Sequence, residues 1–162
     1  FGLSERLTIG RKEAKELIDG YFQSYPGVKR YMDESIRKAR EKGYVTTMFG
    51  RRRYLRDIGS RNQVVRGNAE RNAINAPIQG SAADIIKVAM VRIHQKMKTG
   101  NYKSKMILQV HDELVLEVSE EAVAETIAAV REAMESAYPL DVPLLTEVSV
   151  GPNWNEMEDY VA

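Results

Sequence analysis

Two mostly apolar five-residue runs, residues 106–110 and 114–118, are separated only by His111, Asp112 and Glu113. A connection this short dictates an antiparallel hairpin, because parallel strands need a crossover of about a dozen residues or more. The tip must then carry three ionisable side chains. Tight turns are usually made by Gly, Asn or Asp, and a histidine with two carboxylates at the mouth of apolar strands costs desolvation that a mere connection does not require. Adjacent carboxylates repel unless a cation or basic partner is near. Hard oxygen donors of this kind suit Mg²⁺, which takes one or two protein carboxylates and completes its shell with water and phosphate oxygens. A polar turn facing solvent is the alternative reading of the same three residues.

The charge of the chain is unevenly spread. Lys and Arg against Asp and Glu number 6 and 6 in residues 1–36, 11 and 3 in 37–71, 6 and 1 in 72–111, and 1 and 13 in 112–162. The net charge of +1 therefore hides a middle of +8 and then +5, followed by an end of −12. The first basic block is rich in arginine. Arg51, Arg52 and Arg53 lie in a turn flanked by Phe49 and Tyr54, a composition suited to phosphate contacts and to stacking on bases or sugars. A solvated helix face plus a turn is the plainer reading. With 162 residues and no cysteine, the chain is long enough to bury about 70% of its unfolded surface, and it excludes disulfides and thiolate metal sites. No apolar run approaches the ~20 residues of a membrane span, and no basic-then-apolar leader opens the chain, so a soluble cytoplasmic protein is expected.

Helical periodicity runs over residues 11–23 through Ala14, Leu17, Ile18, Tyr21 and Phe22, and again over 27–42 through Val28, Tyr31, Met32, Ile36 and Ala39, with Gly43 as the stop. Residues 44–49 and 53–58 read as a strand pair around Gly50. Pro77 divides the next helical stretch into two expected helices, 61–74 and 77–98. After the hairpin, Ser119 is the expected N-cap of a helix whose stripe is Val123, Ile127, Val130, Met134 and Ala137, and residues 145–150 form a last strand. These elements predict one compact α+β unit, with a small antiparallel sheet packed on helices.

A second constellation is Arg71, Asn75 and Gln79, spaced four apart. On an unbroken helix they would share a face and present a guanidinium and two carboxamides, groups able to read the acceptors that every base pair offers in the minor groove. Asn75 as a cap beside Pro77, with Arg71 and Gln79 solvated, is the competing reading. His94 is expected at a surface or boundary, and Trp154 is expected to pin the tail onto the core. No phosphate-loop, hydrolase-elbow or zincin signature is present.

Residues 71–87, RNAINAPIQGSAADIIK, followed by QVHDEL at 109–114, resemble the C-terminal part of the family A, polymerase I-like DNA polymerases. TMFGRRRYL at 47–55 and residues 9–28 match the same family in the same order, so the resemblance covers essentially the whole chain. Arg56 departs from it, standing where the family often has proline. The resemblance implies a small antiparallel palm sheet with a catalytic hairpin packed on several helices, residues 1–42 as the later part of the fingers, and residues 43–162 as the C-terminal part of the palm. It implies that Asp112 binds the catalytic Mg²⁺ ions, that Glu113 supports the metal site or primer end, and that His111 contacts the primer terminus. Arg71, Asn75 and Gln79 would hold the primer–template duplex, and Arg51, Arg52 and Arg53 would meet its backbone.

The implied reaction is two-metal transfer of a nucleotidyl group from a dNTP to a primer 3′-hydroxyl, in replication and repair. The family's second metal-binding aspartate and its nucleotide-gripping helix belong before residue 1. The chain is therefore expected to be a fragment, inactive without a complementing N-terminal polymerase part. Two rivals stand beside this reading: a noncatalytic duplex-DNA-binding module, and a fragment of a single-subunit RNA polymerase, whose tip would resemble His-Asp-Ser where this chain has Glu113.

Overall fold

Proline at position 26 cannot donate a backbone hydrogen bond, and it ends one helix by starting another. In the computed structural model, which describes residues 2–160, helix α1 (Gly2–Leu7) and helix α2 (Arg11–Ser24) precede it, and helix α3 (Pro26–Lys42) begins on Pro26 itself. α3 stops at Gly43, whose φ of 75° is left-handed and whose N–H donates to the Ala39 carbonyl at 2.8 Å. A side chain at this φ is strained although the space around Gly43 is open. Gly43→Ala should therefore lower stability by about 1–2 kcal/mol, read by chemical denaturation.

The described residues form two compact units, divided between Ile78 and Gln79, where the sequence predicted one. In the first, strand β1 (Tyr44–Thr46) pairs antiparallel with strand β2 (Arg52–Tyr54), in the register Tyr44↔Tyr54, Val45↔Arg53 and Thr46↔Arg52. Both strands are shorter than expected. Residues 47–50 close a turn, with the Gly50 N–H on the Thr47 carbonyl at 3.0 Å, and residues 55–58 form another, with the Ile58 N–H on the Leu55 carbonyl at 3.2 Å. That second turn drops Leu55 and Ile58 into a core with Ala39, Val45, Ala69 and Ala73, against which Ile36 and Ala76 pack. The predicted stripe of α2 contributes little to any core. Ala14 is buried, whereas Leu17, Ile18 and Tyr21 are exposed.

Helix α4 (Gln63–Gly100) is one helix where two were predicted, and Pro77 lies inside it. A proline deletes one amide donor and crowds one carbonyl, a local cost that the packing of Ala69 and Ala73 on one side and Ala89 and Ile93 on the other outweighs. The helix starts where Asn62 Oδ1 accepts the Val64 and Val65 N–H groups at 2.9 and 3.4 Å. Asn75 is thus a residue of the helix interior and not a cap.

In the second unit, strand β3 (Ser104–Val110) and strand β4 (Glu113–Val118) form the predicted hairpin, with an irregularity at Ile107. Ser119 precedes a 3-10 turn (Glu120–Ala122) and makes no side-chain cap there; helix α5 (Val123–Glu135) follows. Its buried residues are Thr126 and Ala133, with Ala122 and Ala137 flanking the helix, and the expected stripe of larger residues is only half-buried. Lys96 and Arg92 of α4 tie to α5 and the residue after it, Lys96 with Glu132 at 2.6 Å and Arg92 with the Ser136 carbonyl. The predicted strand 145–150 shrinks to β5 (Ser149–Val150), paired with an unpredicted β6 (Glu158–Asp159). The Thr146 N–H is instead taken by the Glu135 carboxylate at 3.0 Å. Trp154 is 52% exposed and so does not pin the tail into a core. His94 is exposed, as expected.

Candidate nucleic-acid and nucleotidyl-transfer site

Glu113 pairs with Val110, so the hairpin turn is two residues, His111 and Asp112, and not the three that the sequence suggested. His111 adopts φ 51°, a left-handed conformation that histidine visits more readily than most side chains. The Gln109 side-chain amide donates to the His111 carbonyl at 2.6 Å and braces the turn. His111, Asp112 and Glu113 are all exposed. The paired strands thus carry two adjacent carboxylates and an imidazole into solvent. This donor chemistry fits Mg²⁺ as one part of an oxygen shell. Among the described residues no group of three His, Cys, Asp or Glu side chains stands together to hold an ion. At the foot of the hairpin Lys103 pairs with Glu121 at 2.8 Å and holds that carboxyl below its ordinary range.

The three consecutive arginines do not share one face. Along β2 the side chains alternate, which puts Arg52 and Tyr54 on one face and Arg53 on the face of its partner Val45. The Arg52 guanidinium carbon lies 4.7 Å from the centroid of the Tyr44 ring, and the Tyr44 and Tyr54 rings meet edge-on at 5.6 Å. Its hydrogen bond with Tyr54, then the interaction with Tyr44, raise Arg52 above the usual arginine range. Arg51, Arg52, Arg53 and Tyr54 are all exposed.

Arg71, Asn75 and Gln79 are exposed and lie on α4, whose continuity through Pro77 makes their four-residue spacing a helical spacing. Arg71 donates to Asn68 Oδ1. Within the first unit an open cleft is lined by Arg40, Gln63, Val64, Arg66, Gly67, Glu70 and Arg71. Glu70 pairs there with Arg40 and lies 3.8 Å from Arg66. Three guanidiniums against one carboxylate leave this cleft cationic. In the sequence Arg66 is one of the arginines of the basic block suited to phosphate contacts, but Arg40 is not singled out, because charge counting locates a basic region without saying which members converge. Tyr31 is not singled out as a site residue either. Its hydroxyl donates to the Ile74 carbonyl at 2.8 Å across 43 positions of sequence, and nothing in either segment signals the contact.

The first unit thus carries exposed arginines on a helix and a hairpin, and the second an acidic hairpin tip. A profile of DNA polymerase family A matches residues 1–156, and the chain belongs to that family. It is similar to DNA polymerase I of Streptococcus pneumoniae, with 55% identity over 156 residues, and to DNA polymerase I of Geobacillus stearothermophilus, with 51% over 154. These alignments cover 96% and 95% of this chain and 18% of each relative, so the chain spans 18% of the length of these curated relatives. Among solved structures it is similar to the POL domain of Pol1 from M. smegmatis, in complex with DNA primer-template and dNTP. The TM-score is 0.86 at 51% identity, covering 89% of this chain and 25% of that one. No helix among the described residues is long and apolar enough to cross a membrane.

Proposed function

We propose that this chain supplies the duplex grip and one acidic wall of a site for DNA-directed DNA synthesis, in which a primer 3′-hydroxyl attacks the α-phosphate of a dNTP and pyrophosphate leaves. The observation that carries it is the two-residue turn at His111 and Asp112, which projects carboxylates from a family A hairpin. Asp112 would hold Mg²⁺, with Glu113 supporting the metal or the primer end; the ion, when bound, supplies positive charge at the attacking and leaving oxygens. His111, with its backbone fixed by Gln109, would contact the primer terminus. The exposed Arg71, Asn75 and Gln79 would hold the primer–template duplex. Arg51, Arg52 and Arg53 would meet its phosphates, Arg52 from a position set by Tyr44 and Tyr54. In this reading residues 1–42 are the later fingers and residues 43–162 the palm, and a complementing N-terminal polymerase part provides further metal ligands and the nucleotide grip. The work would be done in the cytoplasm, on the bacterial chromosome. The family match favours DNA synthesis over the single-subunit RNA polymerase reading.

Primer–template binding, measured by anisotropy against both KCl and Mg²⁺, separates this from a noncatalytic duplex-binding module. Phosphate contacts make log affinity fall linearly with log salt. Both readings therefore predict a salt slope, but only a metal-binding tip predicts a Mg²⁺ response beyond ionic strength that Asp112→Asn removes. A Mg²⁺ response identical in the wild-type and Asp112→Asn chains would refute the metal role.

A further inference from the structure

We infer that Tyr31 is a positioning residue for the Asn75 carboxamide, an inference that rests on the duplex-holding reading of Arg71 and Asn75. α4 is intrinsically weakest just before Pro77, because residue 77 has no N–H to give to the Ala73 carbonyl and its ring presses on that group. In this stretch the Ile74 carbonyl accepts the Tyr31 hydroxyl from α3 at 2.8 Å, in a partly buried contact. That carbonyl belongs to the peptide plane whose nitrogen is Asn75's own. Fixing the plane fixes the direction in which the Asn75 side chain leaves the helix.

The surroundings make the anchor firm on one side only. α3 is held by buried Ser35 and Ala39, and Ile36 of α3 and Ala76 of α4 pack against the core that contains Ala39 and Ala73, while Asn75 and Arg71 face solvent. A carboxamide that must meet a minor-groove acceptor needs a set direction more than it needs burial. Tyr31 provides that direction from the protein side and makes no contact with DNA in this account. Arg71, one helical turn before Asn75, shares the benefit.

The test uses the 162-residue chain and two primer–template duplexes that differ only in 3-deazapurines, which lack the minor-groove N3 acceptor. The wild-type chain should bind the 3-deaza duplex about two- to tenfold more weakly, the range of one lost hydrogen bond. Asn75→Ala should bind both duplexes alike. Tyr31→Phe, which keeps the ring and removes only the hydroxyl, should retain its circular dichroism yet lose most of that discrimination. Ile36→Val, a packing change on the same helix, should discriminate as the wild type does.

Full discrimination by Tyr31→Phe alongside none by Asn75→Ala overturns the positioning role and leaves the duplex reading intact. Full discrimination by Asn75→Ala overturns both. Loss of discrimination in Ile36→Val would show that any loosening of α3 has the effect, and would overturn the specific role of the hydroxyl.

Discussion

Asp112→Ala is expected to lower primer extension by the complemented chain about a thousandfold, since a metal site supplies several kcal/mol of charge stabilisation and about 4 kcal/mol corresponds to that factor. The loss should be chemical and not structural. The turn is set by the Val110↔Glu113 pairing and by the Gln109 bond to the His111 carbonyl, neither of which uses the Asp112 side chain. Circular dichroism and duplex affinity without Mg²⁺ should therefore match the wild type. Asp112→Asn, which keeps the shape and removes the charge, should be nearly as inactive. Glu120→Ala, an acidic residue outside the hairpin, should leave extension unchanged. Extension by Asp112→Ala within tenfold of the wild type would exclude Asp112 as a metal ligand.

Ile93→Ala is expected to destabilise the fold by about 2–5 kcal/mol, the range for emptying a buried aliphatic site that cannot collapse. Ile93 is 1% exposed and has the largest fully buried side chain among the described residues. It lies beside Met97, Tyr102, Thr126, Ala129 and Val130, and the Thr126 hydroxyl there is buried without a hydrogen-bond partner. Water could not easily fill the new space, since its walls are largely apolar. Urea denaturation followed by circular dichroism reads the change. Ile93→Val, which removes one methylene, should cost only about 1 kcal/mol. A loss below 1 kcal/mol in Ile93→Ala would mean that α4 and α5 do not pack through this residue.

Local signals in the sequence were legible where one interaction decided the outcome. Pro26 and Gly43 bounded α3, and the short gap between residues 110 and 114 demanded the hairpin. The sequence misled where a local rule met a tertiary one. Pro77 reads as a break, yet α4 continues through it, because one missing amide costs less than the packing on both sides returns. Residues 55–58 look like a strand by composition, but Leu55 and Ile58 turn inward to the core. The stripe of α5 is offset because the inward row uses small residues, Ala122, Thr126 and Ala133, which hydrophobic periodicity weights lightly. Trp154 misled for a related reason: its type argues for burial, and its neighbours provide nothing to cover it.

The site shows the same division. Ionisable residues at the tip and the four-residue spacing of Arg71, Asn75 and Gln79 can be read in one dimension. The seating of Arg52 on Tyr44 and the reach of Tyr31 to Ile74 depend on pairings between separate segments, and no local pattern encodes them.

The most direct measurement is incorporation of a single dNTP onto a labelled primer–template in Mg²⁺, by this chain mixed with a polypeptide carrying the N-terminal remainder of a family A polymerase. The account predicts extension by one template-matched nucleotide in the mixture, none from either part alone, and none when the chain carries Asp112→Ala. Robust extension by the chain alone, or equal extension by the Asp112→Ala mixture, would contradict it.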